Sequence, residues 1–551
     1  MKVRAFLLLA SIAGTIPAQV SFDRILNANK EPQNWLTYGG TYQSQRYSLL
    51  NQITLENARN LELKWVFQAR SLVAYQTTPL VVDGVLYTMQ SNDVVAIDAV
   101  TGRIFWIYPH PIPSDARPCC GNIGRGLAIL GDTLFLATED AHLIGIDAKD
   151  GHGLWDTTVA KASAGYSMSL APLVIKDKVI VGVAGGEYGI RGFIAAYDVR
   201  TGKEAWRFNT VPGPGEAGHE TWGGDSWMHG GGSVWVTGSY DPETNLTYWG
   251  VGNPGPDYNG DVRPGDNLFT CSMLALDADT GKLKWHYQAN PHNEFDWDAV
   301  QVPLLADISW QGKPRKAMLW ANRNGFYYVL DRSSGQFLLG KAFVKQNWNA
   351  GFDEKGRPVM AQNTKSSPEG TLIFPDNQGG TNWFSPSYSP RTGLFYFAAR
   401  ENGSTMFVKG EPEYVEGRSY TARGTLGRGA GPGRGRPQVG MDEEKYTAVR
   451  ALDPQTGDRK WEFKLNAGNS LNQCAGLSCA GASGILTTAS DLLFAGGRDG
   501  HFVALDARNG ALIWKAALGG AIIMGPITYS VDGQQYVAVN AGNSLFVFGL
   551  R

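Results

Sequence analysis

Cysteine is scarce in this chain, with five residues among 551. That scarcity excludes a small scaffold stapled by disulfides. No C-x-x-C-H occurs anywhere, which excludes covalently attached haem. Charged residues make up only 18% and the formal net charge is -2, so the electrostatic footprint of a nucleic-acid binder is missing. After the N-terminus no run approaches the roughly 20 apolar residues that a membrane helix needs, so no membrane span is expected. The only basic low-complexity tract, "ARGTLGRGAGPGRGRP" at residues 422–437, belongs to a loop insertion at about 408–445. It reads as a solvated loop, with contact to an acidic partner as the other reading.

The N-terminus has a different character. "MKVRAFLLLASIAGTIPAQ" carries Lys2 and Arg4, then an apolar run to Ile16, then Ala18. This is the pattern of a secretory signal peptide, residues 1–18, and the expected location is the periplasm. A buried N-terminal helix is the alternative. Export permits disulfides, which matters for the neighbours Cys119 and Cys120 in "PCCGNIGRG". A bond between adjacent residues closes almost no loop, so it would have a local use and little value as a staple.

What the chain has in abundance is Gly (69), Tyr (22) and Trp (17), the composition of many short strands and tight turns. It also repeats. "VVAIDAVTGRIFW", "LIGIDAKDGHGLW", "IAAYDVRTGKEAW", "LALDADTGKLKW", "YYVLDRSSGQFLL", "VRALDPQTGDRKW" and "FVALDARNGALIW" each read as a strand ending in Asp, a Gly turn, and a strand closing on a large apolar residue. "ARNLELKWVFQ" is an eighth, degenerate copy. The closing positions are Trp65, Trp106, Trp155, Trp206, Trp285, Leu338, Trp461 and Trp514. Their spacing matches a four-stranded blade, with insertions in the Trp206–Trp285 and Leu338–Trp461 gaps. The expectation is an all-β chain, residues 19–551, forming one eight-bladed β-propeller with tryptophan-docking blade motifs. The segment "WLTYGGTYQSQRYSLL" is expected to pair with the C-terminal "QYVAVNAGNSLFVFGL" in one blade and lock the ring.

Propellers serve many functions, so function has to be sought in residues that do not repeat. Glu187 in "VAGGEYGIRG", Asn253 in "GVGNPGP", and Asp296 and Asp298 in "PHNEFDWDAV" would make an all-oxygen site for a hard cation if they converge on the ring axis. Taken singly, each is an ordinary turn residue. Cys474 and Cys479 in "QCAGLSCAG" suit a local disulfide better than a metal site, and Cys271 is left as a buried thiol.

The vicinal cysteines, "GGEYGIRGFIAAYD", "GNPGPDYNGDVRPGDN", "PHNEFDWD" and "NRNGFYYVLDR", in that order, resemble the quinoprotein alcohol dehydrogenases, which use pyrroloquinoline quinone (PQQ) and include methanol and ethanol dehydrogenases. The resemblance covers essentially the whole chain after residue 18. It implies a Cys119–Cys120 disulfide over one face of the quinone and Trp235 over the other. It implies PQQ contacts from Gln76, Arg125, Ser169, Ala184, Gly185, Gly186, Ser233, Arg323 and Asn382, with Ser169 where Thr is usual and Gln76 where some members have Glu. It also implies a metal held by Glu187, Asn253 and Asp296.

In the family the metal acts as Lewis acid on the quinone C5 carbonyl and hydride passes from the alcohol carbon to C5. Arg323 is then expected to stabilise the developing oxyanion and Asp296 to act as general base, with electrons leaving to a separate soluble cytochrome c. Members using lanthanides carry a second Asp two residues after the catalytic one, as Asp298 stands here. A lanthanide ion is therefore expected, with Ca2+ as the alternative. Small-alcohol members have a Trp where Asp257 stands and an aromatic near Ala482, so a wider pocket and alcohols larger than methanol are expected. A non-enzymatic envelope scaffold propeller is the rival reading, and it would lack this residue set. Nothing in the chain speaks against a homodimer.

Overall fold

The structure, a computed structural model, describes residues 20–73, 75–425, 444–466 and 482–551. Residues 1–18, expected to be a signal peptide, lie outside the described residues, as do Cys474, Cys479 and most of the Arg/Gly-rich tract. The repeats fold as eight four-stranded sheets. Blades 1 to 8 begin, at the ring axis, with the strands Leu80–Val82, Ala128–Leu130, Leu173–Ile175, Ser239–Asp241, Leu304–Trp310, Ser387–Ser389, Leu486–Thr488 and Ile527–Val531. Blade 7 gains a fifth strand, Tyr47–Ser48, paired in parallel with Thr487 and Thr488.

The Asp–Gly turn and the Trp are two halves of one joint between blades. In blade 4 the Asp277 carboxylate accepts from the Thr280 amide, and the turn closes as Gly281 N donates to Asp277 O. The indole of Trp206, on the outer strand of blade 3, donates to Ala278 O in that turn at 3.2 Å. A β-carbon on Gly281 (φ 69°) would lie 2.4 Å from the Trp206 ring, so only glycine both takes the turn and admits the indole. Trp65, Trp106, Trp155, Trp285 and Trp461 donate in the same way to Ala99, Ala148, Val199, Arg332 and Ala507 of the next blade. Leu338 breaks the series. There the Tyr327 hydroxyl donates instead to Pro454 O at 3.2 Å.

The ring closes differently from the sequence expectation. The strand paired with C-terminal Ser544–Leu550 in blade 8 is Leu61–Gln68, the degenerate repeat copy, and not the segment at residues 35–50. With that outer place filled, residues 20–48 run across the axis and hydrogen-bond to every blade. Trp35 pairs with Val81 and Val20 with Gly131. The Tyr42 hydroxyl donates to Val174 O, and Tyr42 O accepts from Tyr240. Gln43 O accepts from Leu305, Gln45 O from Tyr388 and Arg46 O from Thr487. The buried Arg46 guanidinium donates to Gly525 O and Pro526 O beside blade 8. One end of the axis is thereby closed and the other is left as a cavity.

Candidate active site

A cavity of about 300 Å³ lies on the axis. Antiparallel pairing puts the start of each innermost strand and the end of its partner at the same face, opposite the Asp–Gly turns. Gln76, Arg125, Ser169, Trp235, Asp298 and Asn382 stand just before innermost strands. Glu187, Asn253, Arg323 and Arg498 follow second strands: Lys178–Gly182, Leu246–Gly250, Lys313–Ala321 and Leu492–Gly496. Non-repeating residues from separate blades therefore meet at one place.

Of the residues singled out from sequence, Gln76, Cys119, Cys120, Arg125, Ser169, Ala184, Gly185, Glu187, Trp235, Asp296, Asp298, Arg323 and Asn382 line the cavity. Gly186, Ser233 and Asn253 sit directly behind it. A β-carbon on Gly186 would meet Ser233 Oγ at 3.3 Å, and one on Gly252 would meet Ser233 Oγ at 2.6 Å and Asp298 Oδ1 at 2.5 Å. Cys119 and Cys120 are joined by a disulfide, and Cys120 Sγ lies 4.0 Å from Glu187 Oε1. Cys271 is a free, buried thiol.

The side of blades 3 to 5 is crowded with carboxylates. Arg323 Nη1 donates to Asp298 Oδ2 at 2.7 Å and Nη2 to Asp296 Oδ1 at 3.4 Å, so one guanidinium serves two acids. Asp298 Oδ1 accepts from Asn253 N at 3.0 Å. Tyr258 Oη donates to Asp296 Oδ2 at 3.2 Å. Burial, with repulsion from Asp298 and Asp296, pushes the Glu187 carboxyl up to about 7. Burial pushes Asp296 up to about 6 against the pull of Arg323. Three facing carboxylates, two of them on one arginine, would carry when ionised more negative charge than Arg323 balances, which a bound cation would neutralise.

Asp257 does not itself line the cavity: it is 2% exposed and its Oδ1 accepts from Asn253 Nδ2 at 3.0 Å, adding a fourth acid to the cluster. Burial and the charges of Asp296, Glu187 and Asp298 raise its carboxyl well above the usual range. Ala482 is also fully buried, bridged to Gly497 and packed with the cluster of Trp383, Phe384 and Ile523.

The side of blades 1, 2 and 7 is cationic. The buried Arg125 guanidinium lies between the rings of Trp235 and Trp383, 4.7 and 4.6 Å from their centroids. Its Nη1 donates to Ser169 Oγ at 2.7 Å, and burial lowers its pKa to about 10. Among the described residues, the buried Arg125 Nε and Gln76 Oε1 have no hydrogen-bond partner. An orphaned donor and an orphaned acceptor in one cavity wall are what a polar ligand would satisfy. Arg498, Trp383 and Phe384 also line this cavity and were missed from sequence. A signal for Arg498 existed: "RDGHFVALD" repeats the frame of "RNGFYYVLD", which starts at Arg323.

The fold and this cavity together define a β-propeller with an axial cavity, acidic on one wall and cationic on the other. A family model described as "PQQ: Glucose/ethanol/alcohol dehydrogenase, beta-propeller domain" matches residues 35–342 and 356–537, and the chain belongs to that family. It is similar to quinoprotein alcohol dehydrogenase PedH of Pseudomonas putida, at 37% identity over 96% of this chain and 90% of that one. It is similar also to the lanthanide-dependent methanol dehydrogenase of Methylacidiphilum fumariolicum, at 35% identity over 96% and 88% of the two chains. Among solved structures, a europium-containing methanol dehydrogenase superposes with a TM-score of 0.85 at 32% identity, covering 96% of this chain and all of that one.

Proposed function

We propose that this protein is a periplasmic PQQ-dependent dehydrogenase that oxidises primary alcohols to aldehydes and passes the electrons to a separate soluble cytochrome c. The observation that carries this reading is the division of one cavity into an acid-rich wall and an arginine wall. The residues fit the cofactor. Trp235 and the Cys119–Cys120 disulfide offer flat contacts, while Arg125, Ser169, Gln76, Asn382 and Arg498 offer charge and hydrogen bonds to carboxylates and ring polar atoms. Glu187, Asn253, Asp296 and Asp298 offer hard oxygen ligands to a cation. Bound PQQ with its ion supplies the electron sink and the Lewis acid for alcohol oxidation.

The protein's own part is proton transfer and positioning. Oxidation to the aldehyde removes a hydride from carbon and a proton from the hydroxyl. Asp296 takes that proton: its carboxylate lines the cavity where the alcohol would sit. Tyr258 and Arg323 hold its two oxygens. Arg323 also presents charge where oxyanion character develops.

The ion is a lanthanide. Asp298 brings a further acid to the group around Arg323, and a trivalent ion balances that charge better than Ca2+ does. No helix among the described residues is long and apolar enough to cross a membrane. The deciding experiment loads apoprotein with PQQ and either La3+ or Ca2+, in wild type and Asp298→Ala. Activity on La3+ that the substitution abolishes supports the assignment. Full activity on Ca2+ alone, indifferent to Asp298→Ala, sinks the lanthanide reading and leaves the dehydrogenase reading standing.

A further inference from the structure

The loop that carries Asn253 returns four residues later to Asp257, and the two side chains meet. Asn253 Nδ2 donates to Asp257 Oδ1 at 3.0 Å and to Pro254 O at 3.1 Å. A carbonyl oxygen can only accept, and an acid oxygen facing an N–H accepts as well. Rotating the amide by half a turn would set its oxygen against Pro254 O, which has no proton to give. The orientation of Asn253 is therefore fixed by chemistry and is not an arbitrary choice between look-alike atoms. With both amide hydrogens engaged, Oδ1 is the pole left for a cation. The loop itself is anchored: the fully buried Arg263 donates to Pro256 O, Tyr258 N donates to Thr421 O, and Ser366 Oγ donates to Tyr258 O.

We propose that Asp257 is a positioning residue that fixes the Asn253 amide so that its carbonyl oxygen is presented to the ion. This rests on the reading of Asn253 as an ion ligand. Asp257 acts through Asn253, and its loss removes one protein oxygen from the coordination sphere without emptying the site.

The test uses the full-length protein carrying PQQ and Tb3+, with the number of ion-bound waters taken from luminescence decay in H2O and D2O. Asp257→Ala is expected to gain about one bound water and to hold Tb3+ about 10–100-fold more weakly, the usual effect of losing a partner that orients a ligand. Asp257→Asn, whose amide oxygen still accepts from Asn253, is expected to stay near wild type. In an Asn253→Ala background, Asp257→Ala should add nothing, because the group it orients is already gone.

Wild-type hydration and affinity in Asp257→Ala would overturn the proposal, as would an undiminished further loss in the Asn253→Ala background. Should Asp257→Ala not fold, Asp257→Val, which fills more space but accepts no hydrogen bond, takes its place. A wild type that takes up no Tb3+ would count against the lanthanide reading alone. The same affinity comparison made with Ca2+ by calorimetry would then decide the role of Asp257.

Discussion

Rim and axis of this ring are built on opposite principles. At the rim one joint recurs, an indole on a glycine turn whose carbonyl accepts the indole proton, and each copy connects a blade to its neighbour. Around the axial cavity, Arg323 and Arg498 aside, no residue plays a repeated part, and groups that would be costly to bury alone are gathered: Arg125 between two tryptophans, Asp296 and Asp298 on Arg323, and Glu187 and Asp257 in the same acidic cluster. Repetition holds the ring and its absence makes the site. Substitutions at the two places should therefore separate stability from chemistry.

The sharpest break of that contrast is at the axis. Asp296→Asn is expected to lower kcat by about 10²–10⁴-fold, the usual worth of a positioned general base, while the melting temperature holds or rises as mutual repulsion falls. Dye-linked alcohol oxidation and calorimetry on the same preparation check both halves. A normal kcat would remove Asp296 from its role.

At the rim the reverse is expected. Trp206→Ala deletes a buried ring and its hydrogen bond to Ala278, and should cost about 3–5 kcal/mol of stability. Activity per folded molecule should change less than twofold, as denaturant melts paired with kinetics would reveal.

A smaller effect sharpens the comparison from the side of pH. Glu187 and Asp296, raised to about 7 and about 6, hold protons in the folded ion-free protein that the unfolded chain has already released. Stability of the ion-free protein should then fall as pH rises from about 4 to about 7, by up to about 1.4 kcal/mol per pH unit for each extra proton held. Saturating ion should abolish the slope. Trp206→Ala should shift the whole curve and leave its shape unchanged.

How much of this could be read in the residues follows the same division. Most of the joints were legible because the contact needs Asp, Gly and Trp at fixed offsets, and one exception, Leu338, was visible; its substitute Tyr327 was not, since it lies on a different strand, nor was Trp514, which packs against Phe548 of blade 8 in place of a glycine turn. The axial segment was misjudged because residues 35–50 pair with no single blade: their hydrogen bonds are shared out one or two at a time among several innermost strands, a pattern that no local sequence signal marks. For the site, the residues that line the cavity were found through the family resemblance more than through any local pattern. Asp257 shows the limit. Its identity suggested a lost wall, but only coordinates reveal that it faces Asn253. Tyr258 lies within the quoted "GNPGPDYNGDVRPGDN", yet nothing in that stretch announces that its hydroxyl reaches Asp296.

Arg46 and Leu61–Gln68, early in the chain, are among the last residues whose partners come into existence. Arg46 donates to Ile485, Gly525 and Pro526, across 439 to 480 positions of sequence, and Leu61–Gln68 waits for Ser544–Leu550. Contacts so distant along the chain make folding slow, because loop entropy is lost long before they form. A nascent chain halted anywhere short of blade 8 has an N-terminal segment with nothing to close and an edge with nothing to cover it. The molecule is thus a structure whose beginning cannot fold to completion until its end has been made.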